Sequence, residues 1–135
     1  MKLFYWLLVE LDMESNNKKT LVLGASDNPD RYSYLALNRL RSKGIETVAI
    51  GRKKTKVADI EIATEKEDYK NIDTVTLYLS PLNQKEYYNY ILSLHPNRII
   101  FNPGAENEEL SDLAKANGIK PLEACTLVML GTNQF

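Results

Sequence analysis

The sequence is poor in the side chains that make disulfides and metal sites. Its 135 residues hold one cysteine, Cys125, and one histidine, His95. An internal disulfide is therefore excluded, and so is a Cys/His zinc set, which needs several such ligands. A reducing cytoplasm is the expected setting. His95, placed before Pro96 at the end of a helical stretch, reads as a surface or capping residue. Cys125 reads as an inert thiol, with a mixed disulfide to a ligand thiol as the alternative. An excess of charge is also missing. With 17 basic and 18 acidic residues the net charge is −1, so no general field gathers the chain onto nucleic acid or an anionic membrane, and any anion site has to be local. The apolar run from Leu3 to Val9 falls far short of the ~20 residues a membrane-spanning helix needs. Asp12-Met13-Glu14-Ser15 after it provides no small-residue cleavage site. Residues 1–17 read as an N-terminal extension or arm, in which Met13 opens a polar lead into one domain over residues 18–135.

Strand and helix patterns alternate through that domain. Thr20 to Gly24 is a short apolar run ending in glycine, and helical spacing follows through Leu35, Ala36, Leu37 and Leu40 as far as Gly44. Thr47 to Gly51 is the second strand. The polar segment 52–70 offers only a weak strand near Ile60 to Ala63. Val75 to Leu79 is a strand, Asn83 to Leu94 a helix, Arg98 to Phe101 a strand and Glu106 to Asn117 a helix. Ile119 to Leu122 is a last short strand, and an apolar helical turn from Thr126 to Leu130 ends the chain. This alternation predicts an α/β fold, a three-layer sandwich around a mainly parallel sheet of about five strands in the order 3-2-1-4-5. Ligands of such sheets bind beyond the carboxyl ends of the strands, where the strand order reverses. Four loops are thereby nominated, at 24–33, 51–56, 80–83 and 102–106.

The first of these, Gly24-Ala25-Ser26-Asp27-Asn28-Pro29-Asp30-Arg31-Tyr32-Ser33, joins a strand to a helix start, where free N–H groups and the positive helix end favour phosphate. Gly24 permits a tight turn, Ser26, Arg31 and Ser33 supply donors, and Pro29 suits a first helical turn. A G-x-G-x-x-G run is absent, and the second strand ends in Gly51-Arg52-Lys53-Lys54-Thr55-Lys56 instead of the acid that holds the ribose of NAD. Those cations suit an extra ribose phosphate, such as the 3′-phosphate of coenzyme A or the 2′-phosphate of NADP. Ser80-Pro81-Leu82-Asn83 offers a hydroxyl and a rigid turn, with Asn83 a possible cap. In the last loop Glu106, Glu108 and Glu109 disfavour a second phosphate, so Asn102 to Ala105 is expected to meet a neutral part of a ligand or to be structural.

Taken together, VLGASDNPDRYSY, the Gly51-Arg52-Lys53 turn, Ser80-Pro81, NPGAENEEL and the final Glu123-Ala124-Cys125 resemble the small stand-alone CoA-binding domain proteins. These are related to the N-terminal CoA-binding domain of the succinyl-CoA synthetase alpha subunit. The likeness runs from about Lys18 to Cys125. It implies a Rossmann-like fold and coenzyme A bound through Gly24, Ala25, Ser26, Pro29, Arg31, Ser33, Gly51, Arg52, Lys53, Ser80 and Pro81. The ligase domain with its phosphorylated histidine has no counterpart here. No nucleophile beside a base and no paired carboxylates are legible in the four loops. The expectation is a cytoplasmic, non-catalytic binder of CoA or acyl-CoA that has no metal, nucleic acid or membrane partner and could form a homo-oligomer. The alternatives are an NADP-binding enzyme or nucleotide sensor using the same groove, and an interaction module with a vestigial site.

Overall fold

The computed structural model describes residues 18–135, and the proposed arm at 1–17 lies outside the described residues. β1 (Thr20–Ala25), α1 (Tyr32–Ser42) and β2 (Thr47–Gly51) form the first crossover unit. Leu21, Val22 and Leu23 are fully buried, as in a strand covered on both faces. Successive side chains point to opposite faces. Leu21 and Leu23 accordingly join one core with Val75, Leu77, Ile99, Phe101, Ile91 and Leu110, whereas Val22 joins a second with Leu37, Leu40, Ile62 and Leu130.

Seven strands form the sheet, in the order β3-β4-β2-β1-β5-β6-β7. The added members are β3 (Thr55–Val57), β4 (Ile60–Ala63), β5 (Thr74–Leu77), β6 (Arg98–Phe101) and β7 (Lys120–Glu123). The expected count of about five is thus too low. The expected order occupies the centre, with the expected last short strand, β7, at one edge and the unforeseen β3 at the other. All pairs are parallel except β3 with β4. That hairpin turns at Ala58, which holds a positive φ of 54°. It is tied to α1 by Arg41, whose Nε and Nη2 donate to the two oxygens of Asp59 at 2.7 and 2.6 Å.

The helix expected over 83–94 is interrupted. α2 (Pro81–Gln84) opens with proline at its first position, a 3₁₀ turn spans Lys85–Tyr87, and α3 (Tyr88–Ser93) follows. α4 (Glu108–Ala116) and α5 (Thr126–Gly131) complete the layers. Asn102, at the end of β6, fastens three elements from within. Its Nδ2 donates to Thr76 Oγ1 at 2.7 Å and to the Leu77 carbonyl at 2.9 Å, and its Oδ1 accepts from the Thr126 N–H at 2.9 Å. All its polar atoms are thereby satisfied in the dry interior, which is the condition for burying an amide without loss. Among the described residues no helix is long and apolar enough to cross a membrane.

Candidate functional site

β1 and β5 carry crossovers to opposite sides of the sheet, and a cleft of about 540 Å³ opens beyond their carboxyl ends. Two glycines let the backbones close up beneath it. Gly24 has φ of 95°, and a Cβ on it would stand 2.9 Å from the backbone carbonyl of Tyr78; a Cβ on Gly51 would stand 2.2 Å from the Ala25 oxygen. At Gly24 the register of β1 against β2 shifts, and Ala25 then pairs with Gly51.

The near wall is the β1–α1 loop. The Ser26 hydroxyl accepts from the Asn28 N–H at 3.1 Å, the Asn28 side chain accepts from the Asp30 N–H at 3.0 Å, and the Arg31 N–H closes on the Asn28 carbonyl at 3.0 Å. Pro29 occupies the second position of this last turn, which suits its fixed φ. It is therefore not in the first helical turn, as expected from the sequence, and it does not line the cleft. α1 begins at Tyr32 behind Arg31, which makes no side-chain cap, and its first turn has no acid. A helix start of this kind presents unmet N–H groups and the positive end of the dipole. α4 is the opposite case. Asn107 caps it by accepting from the Leu110 N–H, Glu108 and Glu109 fill its first turn, and the Gly104 N–H donates to Glu106 Oε1 at 2.7 Å.

Gly24, Ala25, Ser26, Arg31, Ser33, Gly51, Arg52, Lys53 and Ser80 all line the cleft, whereas Pro29 and Pro81 do not. Pro81 lies behind Ser80 as the opening residue of α2. Pro103, Gly104 and Ala105 line the far end, so the last nominated loop does meet the cleft. Asn83 lies inside α2 and lines the cleft; Ser80, not Asn83, holds the cap position of that helix. His95 and Cys125 do not line the cleft. Among the described residues no three His, Cys, Asp or Glu side chains come together as a metal set.

Sequence reasoning missed several members. Asp27 reaches across to the turn after β2, where its Oδ2 accepts from Lys53 Nζ and from Thr55 Oγ1, both at 3.1 Å. The bond from Lys53, reinforced by that from Thr55, holds the Asp27 carboxyl below its usual pKa. Gln84, fully buried, donates from Nε2 to the Leu79 and Ala105 carbonyls at 2.8 Å each, joining two loops of the far wall. Its Oε1 accepts from Asn107 Nδ2 at 2.9 Å. Tyr78 also lines the cleft, but its hydroxyl is buried and makes no hydrogen bond. Burial pushes its pKa up to about 12, so at neutral pH it is a neutral phenol and a poor proton acceptor. The sequence placed Asp27 in a nominated loop and Tyr78 in a predicted strand, but assigned no role to either.

No curated protein matches the sequence. An uncharacterized protein of known crystal structure shares 53% identity, with 87% of this chain and 98% of that one covered at a TM-score of 0.85. Cell-free ID.343 from Thermus thermophilus shares 18% identity, with coverage of 96% and 98% and a TM-score of 0.79. An acetyl-coenzyme A synthetase from Candidatus Korarchaeum cryptofilum, solved with phosphate and ADP, shares 17% identity. There 84% of this chain matches 27% of the longer one at a TM-score of 0.66. The last two likenesses concern the fold. A profile of the CoA binding domain matches residues 18–131, and the chain belongs to that family.

Proposed function

We propose that this protein binds coenzyme A or an acyl-CoA in the cleft without catalysing a reaction on it. The observation that carries the reading is the asymmetry of the two helix starts: α1 is uncapped and flanked by Ser26, Arg31 and Ser33, while α4 is capped and acidic. One end of the cleft is thus built for a pyrophosphate and the other for an uncharged arm. Arg52 lines the cleft at the end of β2, on the side of β1 away from β5 and β6, where a ribose phosphate would fall. For catalysis the cleft offers little. Tyr78 is held neutral, and the Gly104 N–H is already engaged. The family match supports the choice of coenzyme A over other phosphorylated nucleotides. The cation-lined turn favours a second reading, in which NADP occupies the same groove.

Mass spectrometry of the small molecule that copurifies, followed by titration calorimetry, tests both readings. CoA is expected to bind more tightly than dephospho-CoA by about 1 to 2 kcal/mol, the value of a charge-assisted contact at a solvated loop. Arg52→Ala combined with Lys53→Ala should erase most of that difference, and added salt should shrink it. Equal affinities for CoA and dephospho-CoA would remove the turn from the site. Tighter binding of NADP than of CoA would favour the second reading.

A further inference from the structure

The turn after β2 already carries an anion of the protein's own. Asp27 Oδ2 stands 3.1 Å from both Lys53 Nζ and Thr55 Oγ1, although the first loop and this turn are far apart in sequence. The convergence follows from the close approach at Ala25 and Gly51, which brings the residues after β1 beside those after β2. The Lys53 side chain is 74% exposed and that of Asp27 34%, so the ion pair is of the solvated kind that contributes little stability and exchanges partners readily. Both residues line the cleft, and so does the neighbouring Arg52. A ligand phosphate placed at this turn must therefore share Lys53 with the Asp27 carboxylate or displace it.

We propose that Asp27 is a specificity-determining residue of the cleft, an internal counter-ion that competes with the ribose phosphate of the ligand for Lys53. It thereby sets the margin by which a phosphorylated ribose is preferred over an unphosphorylated one. This rests on the nucleotide reading above. The Asp27 carboxylate is bonded to Lys53 and Thr55 of the turn after β2, the turn assigned to the ribose phosphate, so its repulsion falls there more than on the pyrophosphate. Removing its charge leaves Lys53 free for the ligand while the polar contact with Thr55 can persist.

Calorimetry of the unmodified protein and of Asp27→Asn, each with CoA, dephospho-CoA, NADP and NAD, tests the proposal. Asp27→Asn should tighten CoA about fivefold, the scale of one unit charge removed a few ångströms away in water-like surroundings, and should change dephospho-CoA less than about twofold. Asp27→Ser, a second uncharged variant, should act in the same direction if the asparagine variant proves unstable. Unchanged CoA affinity, or equal tightening of CoA and dephospho-CoA, would overturn the proposal. Weaker binding of both would overturn it too and would make Asp27 an acceptor for ribose hydroxyls. If CoA fails to bind while Asp27→Asn tightens NADP over NAD, the CoA reading falls and this inference stands. If no nucleotide binds either protein, both fall.

Discussion

Gly51→Ala is expected to lower the melting temperature by about 10 °C, while Gly131→Ala leaves it nearly unchanged. The Cβ added at position 51 would lie 2.2 Å from the Ala25 carbonyl oxygen and 3.0 Å from Ile62 Cγ2. Neither the oxygen, which belongs to a strand backbone, nor the buried isoleucine can swing aside as an exposed side chain would. The strands must part, at a cost near the upper end of the ~1 to 3 kcal/mol typical of overpacking, and each kcal/mol lowers the melting point of a domain this size by about 3 to 5 °C. At Gly131 a Cβ meets nothing within 4 Å. Scanning calorimetry of the two variants makes the comparison. A Gly51→Ala protein melting within about 2 °C of the parent, a change worth well under 1 kcal/mol, would show that β1 and β2 can separate at no cost.

The other large effect is expected in binding. Ser26→Ala together with Arg31→Ala should weaken CoA by about two orders of magnitude while the melting temperature barely moves. Both side chains line the cleft beside the uncapped start of α1. A charge-assisted bond is worth ~1.5 kcal/mol or more, and a hydroxyl to a charged phosphate nearly as much, giving about 3 kcal/mol for the pair. Neither residue is among the fully buried core, so the fold does not depend on them. The measurement is calorimetric titration of the double variant. Affinity within about threefold of the parent, or under 1 kcal/mol, would place the phosphates elsewhere.

The central sheet was legible because its strands are apolar runs that alternate with helical spacing, from Leu21 to Phe101. Of the β3–β4 hairpin, β4 was legible as the weak strand near Ile60 to Ala63, but β3 was not, since Val57 is an isolated apolar residue in a polar segment and its strand exists only by pairing with β4. The break at Lys85–Tyr87 escaped for a similar reason: it follows Gln84, whose buried amide is satisfied by carbonyls from two other loops. In the site, the residues read from local pattern around Gly24 and Gly51 do line the cleft. Asp27 was seen only as part of a loop, because its partner lies 26 positions away and the contact exists only once β1 and β2 are paired. Pro29 was misplaced by the helix starting at Tyr32, later than the proline suggested.

The Gln84 amide makes the two walls of the cleft unequal in how they can respond to a guest. By holding Leu79, Ala105 and Asn107 from inside the protein, it couples the far wall to the core, and moving that wall means giving up buried hydrogen bonds. The opposite loop is closed by short-range turns at exposed positions 28–30, which cost far less to rearrange. Ligands that differ in the group carried at the far end meet a fixed mould, whereas differences at the phosphate end meet a surface that can adjust. On the CoA reading proposed above, selection among acyl groups would be steric and accommodation of the nucleotide conformational.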